Sequence, residues 1–322
     1  MFNDIILYEN DNNMKNITTT TKTILFASII AAMILPFSVM GMADAAPNEN
    51  ANETAKEYVR AEIPEGYDMT PFGIWKKTDI KEWDGVTPID TDKDVKDWKD
   101  AHPGEKTPAD IAVEKMQKKS EGHLPGFTDG WNKYGHISYA TEPSSFTAYW
   151  KVPNAPVSYS SGDVIFYFNA FQGTGTNVIV QPVLQYGNSA ACNSASWKIA
   201  SWILSGPFVY KTSCASASTG NTIKGEILSQ GNTWTVKTTN VNTSTTKTLS
   251  ASSSYDMIRA NVALETHGLP PTCAYVPNDV QFYSMKINGA TPPSWTEYSG
   301  YTWCGMDLVS SSGSTVNINT DN

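Results

Sequence analysis

The sequence predicts an all-β protein: an antiparallel, lectin-like β-sandwich over residues 126–322, preceded by an export signal and a charged, partly helical region. Two observations carry most of that expectation. Charge density drops near Leu124-Pro125-Gly126, because residues 47–125 hold 12 Lys+Arg and 18 Asp+Glu while 126–322 hold 9 and 10 over a stretch more than twice as long. Beyond that point the chain falls into short stretches rich in Val, Ile, Thr, Tyr and Trp. Examples are Phe146-Thr-Ala-Tyr-Trp-Lys-Val152, Val164-Ile-Phe-Tyr-Phe168 and Thr233-Trp-Thr-Val-Lys237, punctuated by Gly, Asn and Ser. Nothing after residue 126 reads as a long amphipathic helix, so strands must build the core.

Taken in order, the chain opens with a targeting pattern. Lys15 and Lys22 are followed by an apolar run from Ile24 to Met42 and by the small residues of Ala43-Asp44-Ala45-Ala46. Residues 1–46 are therefore expected to be a signal peptide, or a membrane anchor if they stay uncleaved, and the protein to be secreted or held at the cell surface. In the charged region 47–125, Thr107-Pro108-Ala109-Asp110 has the hydroxyl cap and early proline of a helix start. Asp90-x-Asp92-x-Asp94 imitates a calcium loop but has Val95 where glycine is needed and Ala101 where a bidentate Glu is needed, so Asp90 to Ala101 reads as a solvated helix.

Composition narrows the function. A net charge of -9 and the lack of clustered Lys and Arg argue against nucleic acid. Cys192, Cys214, Cys273 and Cys304 are even in number and follow an export signal, which points to two disulfides; three pairings are open, and Cys192 with Cys214 and Cys273 with Cys304 close the shortest loops. No cofactor or metal is expected, since no two cysteines have zinc spacing and the serine-elbow, zinc-helix and phosphate-loop motifs are absent. His102, His123, His136 and His267 have no partner at ligand spacing and are taken as incidental. Carboxylates are scarce in the sandwich, so Glu265, which ends the apolar stretch Ala260-Asn-Val-Ala-Leu-Glu265, stands out: inside a strand it must be paired, exposed, or kept for proton transfer.

Seven segments, in order, resemble the glutamic peptidases of the eqolisin kind, and more distantly the neprosin-type ones. Trp131-Asn-Lys-Tyr-Gly135 is similar to the family's first strand and Ala148-Tyr-Trp-Lys-Val-Pro153 to its strand ending in Val-Pro. Phe168-Asn-Ala-Phe-Gln-Gly173 stands where the family has Trp-x-Gly-x-Asp-Gly. Val183-Leu-Gln185-Tyr-Gly187 matches its Leu-Gln-x-Gly strand, and Ser196-Trp-Lys-Ile-Ala-Ser-Trp202 its aromatic cleft strand. Gly220-Asn-Thr-Ile-Lys-Gly225 and the stretch from Ala263-Leu-Glu265 to Val280-Gln-Phe282 follow in family order. The departures are Phe168 for the cleft Trp and Gln172 for its Asp; a register shifted by four would bring Asn261 to the position of the catalytic Glu.

The resemblance implies an acid-acting endopeptidase with Glu265 as general base and acid and Gln185 as the oxyanion donor. It further implies Trp131, Phe168, Gln172, Trp197 and Trp202 lining the cleft, a protein or peptide as substrate, and a monomer. It makes 47–125 a propeptide, with Lys76-Lys77 or Lys118-Lys119 expected to pair with the catalytic carboxylate; the alternative is a plain linker. The rival function is a non-catalytic carbohydrate-binding or structural surface sandwich. A glycoside hydrolase would want two carboxylates, and only Glu226 stands beside Glu265 as a strand candidate.

Overall fold

The computed structural model describes residues 63–83, 85–108, 130–173, 178–269, 272–298 and 303–320. The export signal, the boundary near 125, Lys118-Lys119 and the body of the helix expected after Thr107 lie outside them. All of the described residues belong to one compact unit.

Among the described residues there are nineteen strands and one α-helix. The first are β1 (Tyr67–Thr70), β2 (Gly73–Lys76), β3 (Ile80–Glu82) and β4 (Ile89–Asp90), followed by α1 (Thr91–Ala101). Then come β5 (Gly130–Ser138), β6 (Ser145–Lys151), β7 (Val164–Gln172), β8 (Ile179–Gly187), β9 (Trp197–Ser205), β10 (Phe208–Lys211) and β11 (Ala215–Ser216). The remainder are β12 (Thr222–Gln230), β13 (Thr233–Asn240), β14 (Thr245–Ser252), β15 (Arg259–His267), β16 (Val280–Ile287), β17 (Thr296–Tyr298), β18 (Asp307–Ser312) and β19 (Thr315–Asn319).

Two sheets face each other as the sequence predicts. One runs β17-β5-β15-β7-β8-β9-β10-β3 with β11 beside β9; the other runs β18-β19-β16-β6-β12-β13-β14-β4. The second sheet alternates as a half-buried sheet should: in β13, Thr233-Trp-Thr-Val-Lys-Thr-Thr-Asn240, every second residue is buried. Gly231, at φ +59, with Asn232 forms the two-residue turn that joins β12 to β13. Between the two sheets, Gly225 of β12 leaves room for Asn169 of β7: a Cβ there would sit 2.1 Å from the Asn169 Oδ1 and 2.8 Å from the Pro182 ring. The tail after residue 291 completes both sheets through β17, β18 and β19. Both disulfides close the shortest loops, Cys192–Cys214 and Cys273–Cys304, at Cα separations of 5.7 and 5.2 Å.

The first sheet is covered on both faces. Ile165, Tyr167, Leu184, Ile199 and Val262 face the second sheet in the main core, while Val164, Phe166, Phe168, Val183, Ala200 and Trp202 form a second apolar cluster on the opposite face. All nine residues of β7 and all nine of β8 are buried as a result.

The covering on that outer face comes from the N-terminal segment. Met69, Phe72 and Trp75, in the β1–β2 hairpin, are 3–5% exposed and belong to this second cluster. Thr70 ties the turn by donating to the Gly73 carbonyl and accepting from the Phe72 N–H. The chain then adds a strand to each sheet, β3 parallel to β10 and β4 parallel to β14. Helix α1, the helix expected over these residues, is capped by Asp90, which accepts from the Lys93 N–H. Asp94 on α1 accepts from Lys81 Nζ at 3.0 Å and from the Tyr210 hydroxyl at 2.6 Å, and Asp92 accepts from the Ser254 N–H.

Candidate active site

Strand register decides which of the expected residues share a face. On β7, Phe166 is paired on one side with Glu265 of β15 and on the other with Gln185 of β8. Residues directly opposite across a sheet point to the same side, so Glu265, Phe166 and Gln185 form one row. With strands spaced about 4.8 Å, the two outer Cα atoms stand about 10 Å apart. Asn261, the other candidate for the carboxylate's place, lies four residues along β15, opposite Ala170. The row that contains Gln185 thus contains Glu265 and not Asn261.

A bulge adjusts the neighbouring strand at this row. On β5 the pairing passes from Leu264 with Lys133 to Glu265 with Trp131, which leaves Asn132 as the extra residue. Asn132 is buried and donates through Nδ2 to the Thr266 hydroxyl at 2.6 Å. The extra residue re-aims the strand. Trp131 and Tyr134, three apart in sequence, both join the outer cluster, and Trp131 packs edge-on against Phe168 at 5.4 Å between ring centres.

Glu265 is fully buried. Its Oε1 is 2.7 Å from Nε2 of His267, two residues on along β15 and 5% exposed. Burial pushes the Glu265 carboxyl above its usual range, and the hydrogen bond and charge of His267, with a smaller contribution from the Trp131 indole N–H, oppose that rise. Oε2 has no partner at ordinary hydrogen-bonding geometry. His267, expected to be incidental, is therefore the immediate neighbour of the one buried carboxylate in this row. Its position was readable, since residues i and i+2 of a strand share a face.

Gln185, also fully buried, has both ends of its amide held. Nε2 donates to the Ser189 hydroxyl at 2.9 Å and to the Gly187 carbonyl at 3.2 Å, and Ser189 donates to Oε1 at 3.0 Å. The same loop receives the N-terminal hairpin, for the Ala190 N–H donates to the Met69 carbonyl at 2.8 Å.

Trp131, Phe168 and Trp202 lie on the face of this row, and Gln172 lies at the end of β7 on that face. Trp197 does not. It packs in the main core against Tyr167 and Tyr186, because β9 turns Lys198, not Trp197, into register with Gln185. Lys76 and Lys77 are exposed, and Lys77 faces Asp68 at 4.0 Å, so the covering of the row is apolar and not an ion pair with Glu265. Glu226 pairs with Lys224 on β12 of the second sheet and takes no part in the row.

The fold and this row together describe a β-sandwich with a buried carboxylate and a fixed amide two strands apart on one covered face. No family model matches the sequence, and no curated protein does. Solved structures to which the chain is similar include a scytalido-glutamic peptidase bound to a peptide-based transition-state analogue (15% identity, covering 59% of this chain and 98% of that one, TM-score 0.46). Others are SCP-B, a member of the eqolisin family, in complex with the tripeptide Ala-Ile-His (14%, 59% and 98%, 0.43), and aspergilloglutamic peptidase from Aspergillus niger (14%, 49% and 98%, 0.36).

Proposed function

We propose that this protein is an exported endopeptidase of the glutamic type, made with its cleft closed. The observation that supports this most is the row itself: a buried carboxylate with a raised pKa and a buried amide donor on one sheet face, two strands apart, under the N-terminal hairpin of the same chain. A carboxylate whose pKa is raised is a usable base in mildly acidic water and a usable acid one step later.

In this reading a peptide carbonyl lies above Phe166, between the two side chains. Glu265 takes a proton from a water molecule as its oxygen attacks the carbonyl carbon. The Gln185 Nε2–H turns from the Gly187 carbonyl, its longer bond, to the developing oxyanion. The tetrahedral intermediate collapses with cleavage of the C–N bond, and Glu265 returns its proton to the leaving amine. Trp131, Phe168 and Trp202 grip apolar side chains of the substrate.

Residues 47–125 act as the inhibitory segment. The β1–β2 hairpin fills the cleft with Met69, Phe72 and Trp75, and β3, β4 and α1 strap it to the body. Two disulfides agree with an oxidising, extracellular setting, and among the described residues no helix is long and apolar enough to cross a membrane.

The test is to express residues 47–322, lower the pH, and follow cleavage of a denatured protein substrate and processing near residue 125. Wild type should cleave and Glu265→Gln should not. Equal behaviour of the two ends the peptidase reading and leaves the carbohydrate-binding one, which an array of immobilised glycans would then examine.

A further inference from the structure

Glu265 and His267 stand next to each other on the covered face of β15, and the strand alone accounts for it: side chains at i and i+2 emerge on the same side, about 7 Å apart along the chain. The imidazole spans that gap to bring Nε2 within 2.7 Å of Oε1. Its ring is itself fixed, packed edge-on against Phe166 at 6.3 Å between centres, the same Phe166 that separates Glu265 from Gln185. A charged carboxylate without exposure to water needs a donor. Here one oxygen has the imidazole as its partner and the other has none at ordinary geometry.

We infer that His267 is a positioning residue of the proposed peptide hydrolysis: it holds Glu265 by Oε1, leaves Oε2 as the oxygen that exchanges the proton, and sets the lower end of the pH range in which Glu265 works as a base. This rests on the peptidase reading of the site. The proton balance is closed without His267 giving or taking one. Water loses a proton to Oε2 as its oxygen bonds to the carbonyl carbon, and Oε2 delivers that proton to the amine nitrogen as the C–N bond breaks. His267 donates to Oε1 throughout.

The other charged groups around the pair are engaged elsewhere. Lys198, in the same row on β9, donates to Ser216; Asp163, beside the Val164 that pairs with His267, accepts from the Ser160 N–H; Asp68 of the hairpin faces Lys77. Among the described residues the imidazole is the one basic group in contact with Glu265. Its effect has a definite sign. His267 draws the Glu265 pKa down against burial, so a neutral replacement lets that pKa rise further, and the acid limb of the rate profile moves to higher pH.

The experiment compares wild type, His267→Gln and His267→Phe, all as the full 47–322 chain after acid activation. It records kcat and KM against pH and, separately, titrates the 13C-labelled Glu265 carboxyl by NMR, the signal being the one missing in Glu265→Gln. His267→Gln keeps a donor without a charge and should move both the acid limb and the carboxyl titration upward by about one to three units. His267→Phe should also lower kcat at the optimum, with KM little changed. If wild type is active but both variants lose the same fraction of activity at every pH and the titration does not move, His267 only fills space and the inference is overturned. If the titration moves but activated wild type cleaves nothing, the peptidase reading fails and the inference about hydrolysis falls with it. Thermal midpoints identify a variant that fails to fold, in which case the other decides.

Discussion

Replacing Trp75 with alanine should open the cleft without unfolding the sandwich. Trp75 is 3% exposed, lies in the hairpin, and packs in the outer cluster with Phe166, Phe168 and Trp202. Truncating a buried Trp costs about 3–5 kcal/mol. The hairpin has no strand pairing with either sheet, so that cost falls on its docking and leaves the two sheets intact. At 1.4 kcal/mol per factor of ten, the open fraction rises by about two to three and a half orders of magnitude. The reporter is the Ala190 N–H, which donates to the Met69 carbonyl. In hydrogen exchange it should lose protection by that factor, while amides in the centres of β7 and β8 keep theirs. The same variant should cleave a fluorogenic peptide before any processing of the chain. Unchanged Ala190 protection, with a global midpoint lowered by the full amount, would refute the reasoning: Trp75 would then be ordinary core.

Three further outcomes are expected. Gln185→Ala should cost about 10²–10³ in kcat, the usual price of one oxyanion donor, with a smaller effect on KM in steady-state kinetics. Because the folded-state pKa of Glu265 is raised above its ordinary value of 4.5, the folded state holds the proton longer than the unfolded one. Wild-type stability should therefore fall as pH rises from 4.5 through the raised value, and urea midpoints of Glu265→Gln should lack that slope. Gly225→Ala would press a methyl into Asn169 Oδ1, Pro182 and Trp150 at 2.1, 2.8 and 2.9 Å, and should destabilise by about 1–3 kcal/mol in denaturant melts.

Much of this architecture could be read in the sequence because a half-buried strand writes its geometry as alternation, and β6, β12 and β13 do so plainly. The face of each site residue was harder. Trp197 and Trp202 are five apart, an odd spacing that a regular strand resolves to opposite faces, so their separation was legible once β9 was treated as one strand. Trp131 follows no such rule, since the bulge at Asn132 cancels its parity with Tyr134. The covering hairpin was the least legible part. Met69, Phe72 and Trp75 are spaced by threes in a charged stretch, a spacing with no strand period. The signal lay in the partner: Val164-Ile-Phe-Tyr-Phe168 does not alternate, and a strand that is apolar on both sides must be covered on both.

The parallel strands β3 and β4 carry a consequence for whatever happens after activation. Each lies along the outermost antiparallel strand at one end of a sheet, β3 on β10 and β4 on β14, so the leading segment hems both fabrics as well as covering the outer face of the first. A cut between 108 and 130 severs the chain but leaves that hem hydrogen-bonded in place. Once the segment is stripped away, two rows of backbone N–H and C=O groups are bared to any passing strand, and self-association becomes the hazard. The catalytically open form should be the sticky one, and its concentration, more than its folding stability, should limit how long it lasts.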